Sequence, residues 1–110
     1  MINATIFCDT TSENSEGLVI GFKVKNHGDT HVCAAVSMLT INTVNSIEKL
    51  TTLKDFDVKW DENGGYLEFK LRDGSFRNTG AGLLLDALVL GLTDVAQEYP
   101  SDILLDTALI

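Results

Sequence analysis

Apolar residues in this chain alternate in some stretches and recur at helical spacing in others. "INATIF" alternates and is rich in β-branched side chains, which predicts a strand over about Ile2 to Cys8. "TTSENSEG" is polar turn material, and "LVIGFKV" then reads as a second strand antiparallel to the first. "KNHGDT" is a loop with Gly28 as its free joint. From Val32 to about Leu50 the period changes. Val32, Val36, Leu39, Val44, Ile47 and Leu50 fall in one wide helical stripe, and Asp29 or Thr30 can cap its first turn. "FDVKWDENGGYLEFKL" holds two alternating runs around Asn63-Gly64-Gly65, the turn chemistry of a tight hairpin. "RDGSFRN" is a loop. Asn78 or Thr79 can cap a second helix that carries Leu84, Leu85, Leu88, Leu92, Val95, Ala96 and Tyr99 and stops at Pro100. "DILLDTALI" supplies a closing edge strand.

The order is therefore ββαββαβ. Strand pairs separated by helices predict an α+β fold: a two-layer sandwich with two helices packed on a mainly antiparallel sheet. At 110 residues the chain is expected to form one domain over 1–110. Each helix also has a second apolar line, Ala34/Met38/Ile41 on the first and Leu83/Ala87/Leu90 on the second. That is more apolar surface than a helix resting on one sheet uses, and it predicts a homodimer.

Charge narrows the partners. Sixteen acidic against eight basic residues give a net charge of −8 and a pI near 4.4. No nucleic-acid partner is expected, because phosphate binding needs clustered Lys and Arg; a basic, lysine-rich peptide would suit the surface. The start "MINATIFCDTT" lacks a charged region and a long apolar run, so no secretory leader is expected. "AGLLLDALVLGLTDVA" contains Asp86 and Asp94 and is too short to span a bilayer, so no membrane partner is expected. Cys8 and Cys33 form neither a disulfide framework nor a metal-ligand spacing. The expectation is a cytoplasmic setting with free thiols and no metal or cofactor.

Chemistry concentrates at "GFKVKNHGDTHVCAAVS". Cys33 falls in the first turn of the predicted helix, where unpaired N–H groups and the dipole favour an anion. The same N–H groups could hold an oxyanion, and Ser37, four residues on, shares the face of Cys33. The competing reading is a small buried thiol packing like Ala34 and Ala35. Cys8, at the end of an edge strand, reads as structural or incidental.

"GDTHVCAAVSMLTINTVNSIEKL" resembles the signature of the ribosomal-processing cysteine protease family, Prp. The family pattern runs through a strand pair, Gly-His-Ala, a loop, a Gly-x-Asp-Ile-Val-Cys-Ala-Ala-x-Ser helix start, Asn-x-x-Glu, a Gly-Gly hairpin and a leucine-rich helix. Gly28, Val32, Cys33, Ala34, Ala35, Ser37, Asn45, Glu48, Gly64 and Gly65 match it. The resemblance implies a homodimeric α+β sandwich. It implies removal of an N-terminal extension from the large-subunit ribosomal protein numbered twenty-seven. It maps the nucleophile to Cys33 and a substrate-binding surface to Gly21, Phe22, Gly28, Ala34 and Ser37. Counted from Gly21, the base of Gly-His-Ala falls on Phe22, followed by Lys23, and phenylalanine cannot accept a proton. Thr30 and His31 stand where the pattern has aspartate and isoleucine. His31 lies two residues before Cys33 and points away from it on a helix. His27, in the loop, is the candidate substitute base. The expectations are thus a Prp-like cysteine protease with altered activity, or an inactive module that binds a basic peptide or ribosome-assembly partner. A thiol sensor built on Cys33 alone is the third.

Overall fold

The computed structural model describes residues 1–9, 18–61, 63, 65–72 and 80–110. Among the described residues seven elements follow in the expected order: β1 (Ile2–Asp9), β2 (Leu18–Lys25), α1 (Thr30–Leu50), β3 (Phe56–Asp61), β4 (Tyr66–Leu71), α2 (Ala81–Glu98) and β5 (Ile103–Leu109). The strands form one five-stranded sheet in the order β3-β4-β2-β1-β5. Three pairings are antiparallel; β5 runs parallel to β1 and closes the sheet as an edge. The α+β sandwich with a mainly antiparallel sheet is the fold observed.

Register decides which side chains meet the helices. Ile6 lies opposite Phe22, Phe22 opposite Phe69, and Phe69 opposite Val58. Because the strand period is two, Ile2, Ala4, Phe22, Val24, Leu71 and Ile103 share that face and are buried. Val32, Val36 and Ile47 of α1 and Leu85, Leu88 and Leu92 of α2 close the core from the other side. The two helices touch closely: a Cβ added at Gly91 would meet Leu39 Cδ2 at 3.0 Å.

Helix α1 departs from its predicted stripe at two places. Leu50 is exposed because the helix outruns the core. Thr40 and Thr43 are buried instead, their hydroxyls donating back to Val36 O at 2.8 Å and Leu39 O at 2.7 Å. Asp29 caps the helix, accepting the His31 N–H at 2.9 Å. Gly80, with φ of 87°, occupies the N-cap position of α2. Asn78 and Thr79, the caps read from sequence, lie outside the described residues, as do the "TTSENSEG" turn, most of "RDGSFRN", and Gly64. The second apolar lines stay in solvent: Met38, Ile41, Leu83 and Leu90 are 73, 51, 75 and 66% exposed.

Candidate active site

Between β2 and α1 the loop is only four residues, Asn26 to Asp29. Asn26 takes a left-handed φ of 73° and turns the chain out of the sheet. His27 is thereby carried toward the tip of the β3–β4 hairpin. Its Nε2 lies 3.4 Å from Asn63 O. Its ring packs where a side chain on Gly65 would stand, with Cε1 2.8 Å from that Cβ position.

Asp29 then starts α1, and Cys33 follows one turn in. The Cys33 Sγ accepts the Gly28 N–H at 3.2 Å and lies 3.6 Å from Gly28 O. Part of the backbone offered to an oxyanion is already used. The His31 N–H is taken by the Asp29 carboxylate, and the Cys33 N–H donates to Asp29 O at 2.8 Å.

Cys33 and His27 line one cavity of about 270 Å³ at this end of the sheet. Ser37 lines it too, on the helix face shared with Cys33. Thr40 and Ile41 extend the α1 wall, Ile2 and Val24 form the floor, and Trp60, Asp61, Tyr66 and Leu67 the hairpin wall. Burial pushes the Tyr66 phenol up, with Glu68 beside it adding to the shift. Among the described residues no three His, Cys, Asp or Glu side chains cluster to hold a metal.

Three residues expected at the site are elsewhere. Phe22 is fully buried in the middle of β2, stacked on Phe69, because its register position faces the helices. Gly21 is buried in β2 outside the cavity, so close to β4 that a Cβ would collide with the Phe69 carbonyl oxygen. Ala34 is exposed on α1 and outside the cavity. Gly28 meets the thiol through its backbone alone. His31 is exposed and outside the cavity wall. Cys8 sits at the far end of β1, half-buried, its thiol pushed up by burial and by the nearby Asp86.

The hairpin wall was missed from sequence. Its alternating pattern marked strands but not which end of which strand would reach the loop at His27. An exposed Trp60 beside a turn was the available signal, since large exposed aromatics favour binding surfaces.

A half-buried cysteine near the start of a helix lines one cavity with a histidine, the two side-chain types that a cysteine peptidase employs. Comparison narrows the class. The family described as Cysteine protease Prp matches residues 1–104. Two curated Staphylococcus aureus sequences, both named ribosomal processing cysteine protease Prp, are 31% identical to this chain over 99 residues, covering 84% of it and 91% of theirs. The crystal structure of an essential S. aureus Prp with a covalently linked product peptide superposes with a TM-score of 0.82 at 30% identity, over 98% of this chain and 100% of that one. A Streptococcus mutans crystal structure gives 0.81 at 28% identity, over 100% of this chain and 96% of that one. This chain belongs to the Prp family of cysteine proteases.

Proposed function

We propose that this chain is a peptidase in which Cys33 is the nucleophile and His27 the general base, acting on a short N-terminal extension of a basic ribosomal protein. The observation that carries the reading is that Cys33 and His27 line the same cavity. The family pattern puts its histidine after the first strand pair and before the loop. Counting from Gly21 assigned that role to Phe22, but Phe22 lies mid-strand in the core. The residue just past β2 with a proton-accepting side chain is His27.

The chemistry follows from the residues. The Cys33 thiol gives its proton to His27 and the sulfur attacks the scissile carbonyl carbon, forming a tetrahedral oxyanion. The imidazolium then protonates the leaving amine as the C–N bond breaks. Water, deprotonated by the same imidazole, hydrolyses the thioester and frees Cys33. Asp61 on the rim and the net charge of −8 favour a basic peptide, and the apolar walls would take its uncharged side chains. S. aureus Prp has been crystallised with a substrate peptide and with a covalently linked product peptide, which supports a peptide ligand here. We extend the reading to a homodimer, supported by the exposed lines Met38/Ile41 and Leu83/Leu90.

The test is cleavage of a peptide spanning the N-terminal extension of the host's large-subunit protein twenty-seven. Wild type is expected to cleave it, and Cys33→Ala and His27→Ala are each expected to lose at least about 100-fold. Binding of the peptide without cleavage by wild type would leave the inactive binding module as the function.

A further inference from the structure

We propose that the β3–β4 hairpin is the orienting third member of the Cys33–His27 pair. The Asn63 carbonyl holds the Nε2–H of His27 and Gly65 makes room for the ring, so that Nδ1 is the atom that takes the thiol proton. This rests on the reading of His27 as the base, and it assigns positioning roles to residues outside the nucleophile's own helix and loop.

The assignment starts from a donor–acceptor argument. A carbonyl oxygen only accepts, so the 3.4 Å contact with Asn63 O is a hydrogen bond only if His27 carries a proton on Nε2. In the neutral ring Nδ1 is then the free acceptor. When Nδ1 receives the Cys33 proton, the imidazolium keeps its Nε2–H on a carbonyl, and a charged donor strengthens that bond. No further protein group changes protonation, and the proton returns from Nδ1 to the leaving amine. The arrangement does with a backbone oxygen what a carboxylate or amide does in a three-membered site: it fixes tautomer and ring orientation together.

The residue that carries this carbonyl is itself anchored. Asn63 N–H donates to Asp61 Oδ1 at 3.0 Å, a local turn that ties down the hairpin tip one peptide before that carbonyl. Gly65 meets two separate demands. Its φ of 61° suits glycine in any tight turn. Turn chemistry does not require the second demand: a Cβ there would stand 2.8 Å from His27 Cε1, 2.9 Å from Nε2 and 2.9 Å from the Asn26 carbonyl oxygen that leads into His27. The turn glycine is also the seat of the imidazole.

The experiment uses the full chain with four variants: His27→Ala, Gly65→Ala, the double variant, and Asp61→Ala. Peptide cleavage and the pH dependence of Cys33 alkylation by iodoacetamide are measured, the latter with Cys8→Ser. Gly65→Ala is expected to lower kcat about 10- to 100-fold with KM little changed, the usual effect of misplacing a catalytic group by a fraction of an ångström to an ångström. Its alkylation profile should move toward that of His27→Ala, and the double variant should be no worse than His27→Ala alone. Asp61→Ala leaves the glycine intact and covers the case of a Gly65→Ala protein that does not fold. It should shift the alkylation profile the same way, by less. Wild-type kcat and alkylation profiles in every folded hairpin variant, with His27→Ala still inactive, would overturn the hairpin's role and leave His27 as base. A neutral His27 ring carrying its proton on Nδ1, read from two-bond 1H–15N couplings, would also overturn it. Full activity of His27→Ala would remove the base reading itself.

Discussion

The rings of Phe22 and Phe69 stack with centroids 5.9 Å apart and planes 18° apart, and neither side chain reaches solvent. Phe22 follows Gly21 where the family pattern has its histidine, so Phe22→His restores that pattern. In the fold that imidazole would sit in the core, opposite Ile6 and Phe69. Phe22→His is expected to give no gain in cleavage and to cost about 2–4 kcal/mol of stability, from lost packing and a poorly partnered polar ring. Denaturant titration and the peptide assay together check this.

Gly28 donates its N–H to the Cys33 sulfur at 3.2 Å and so fixes where the sulfur sits against the loop. A Cβ on Gly28 would stand 3.3 Å from both Asp102 O and Ile2 Cγ1. The loop must shift by a few tenths of an ångström to admit it. Gly28→Ala is expected to slow Cys33 alkylation at neutral pH several-fold and to lower stability by about 1 kcal/mol. Stopped alkylation followed by intact-mass measurement reads the first effect, and thermal melting the second.

Gly21 tests whether a residue matched to the family pattern serves the site or the sheet. Its added Cβ would strike the Phe69 carbonyl and lie 2.9 Å from Lys70 Cα. Gly21→Ala should cost about 1–3 kcal/mol by forcing β2 and β4 apart. At temperatures where the variant stays folded, KM should be unchanged, since the position is not part of the cavity wall.

Association through the helices is expected because Leu83 and Leu90 lie one heptad apart on the outer face of α2, both in solvent. Light scattering at micromolar concentration should give a mass of about twice 12.0 kDa. Leu83→Glu with Leu90→Glu should give a monomer while leaving the sheet and core intact by circular dichroism. A monomer mass for wild type would remove the dimer.

Alkaline pH should weaken the fold through Cys8. Burial and Asp86 raise its thiol above the ordinary value of 9.0, so the folded state holds that proton longer than the unfolded chain does. Its contribution is complete below the unfolded value and is lost as pH rises through the higher folded one. Stability measured from pH 8 to about 10 should therefore decline, and Cys8→Ser should flatten the decline. Tyr66 is shifted in the same direction and adds its own fall at still higher pH.

The sequence by itself determined the elements, their order and the place of Cys33 near a helix start. Alternation and helical spacing are local properties, and burial of one face enforces them, so ββαββαβ and the α+β sandwich could be read directly. Cys33 could be read because a helix start is set by its cap, Asp29, a few residues away. Tertiary structure decided everything that depended on register. A two-residue strand period placed Phe22 in the core and freed His27 just past the strand, which counting along a motif could not tell apart. Only the pairing of β4 with β2 brings the hairpin tip to that histidine, joining Asn63 to His27 across 36 residues of chain. Strand pairing is a non-local choice fixed by the sum of the core contacts, and no short stretch of this sequence contains it.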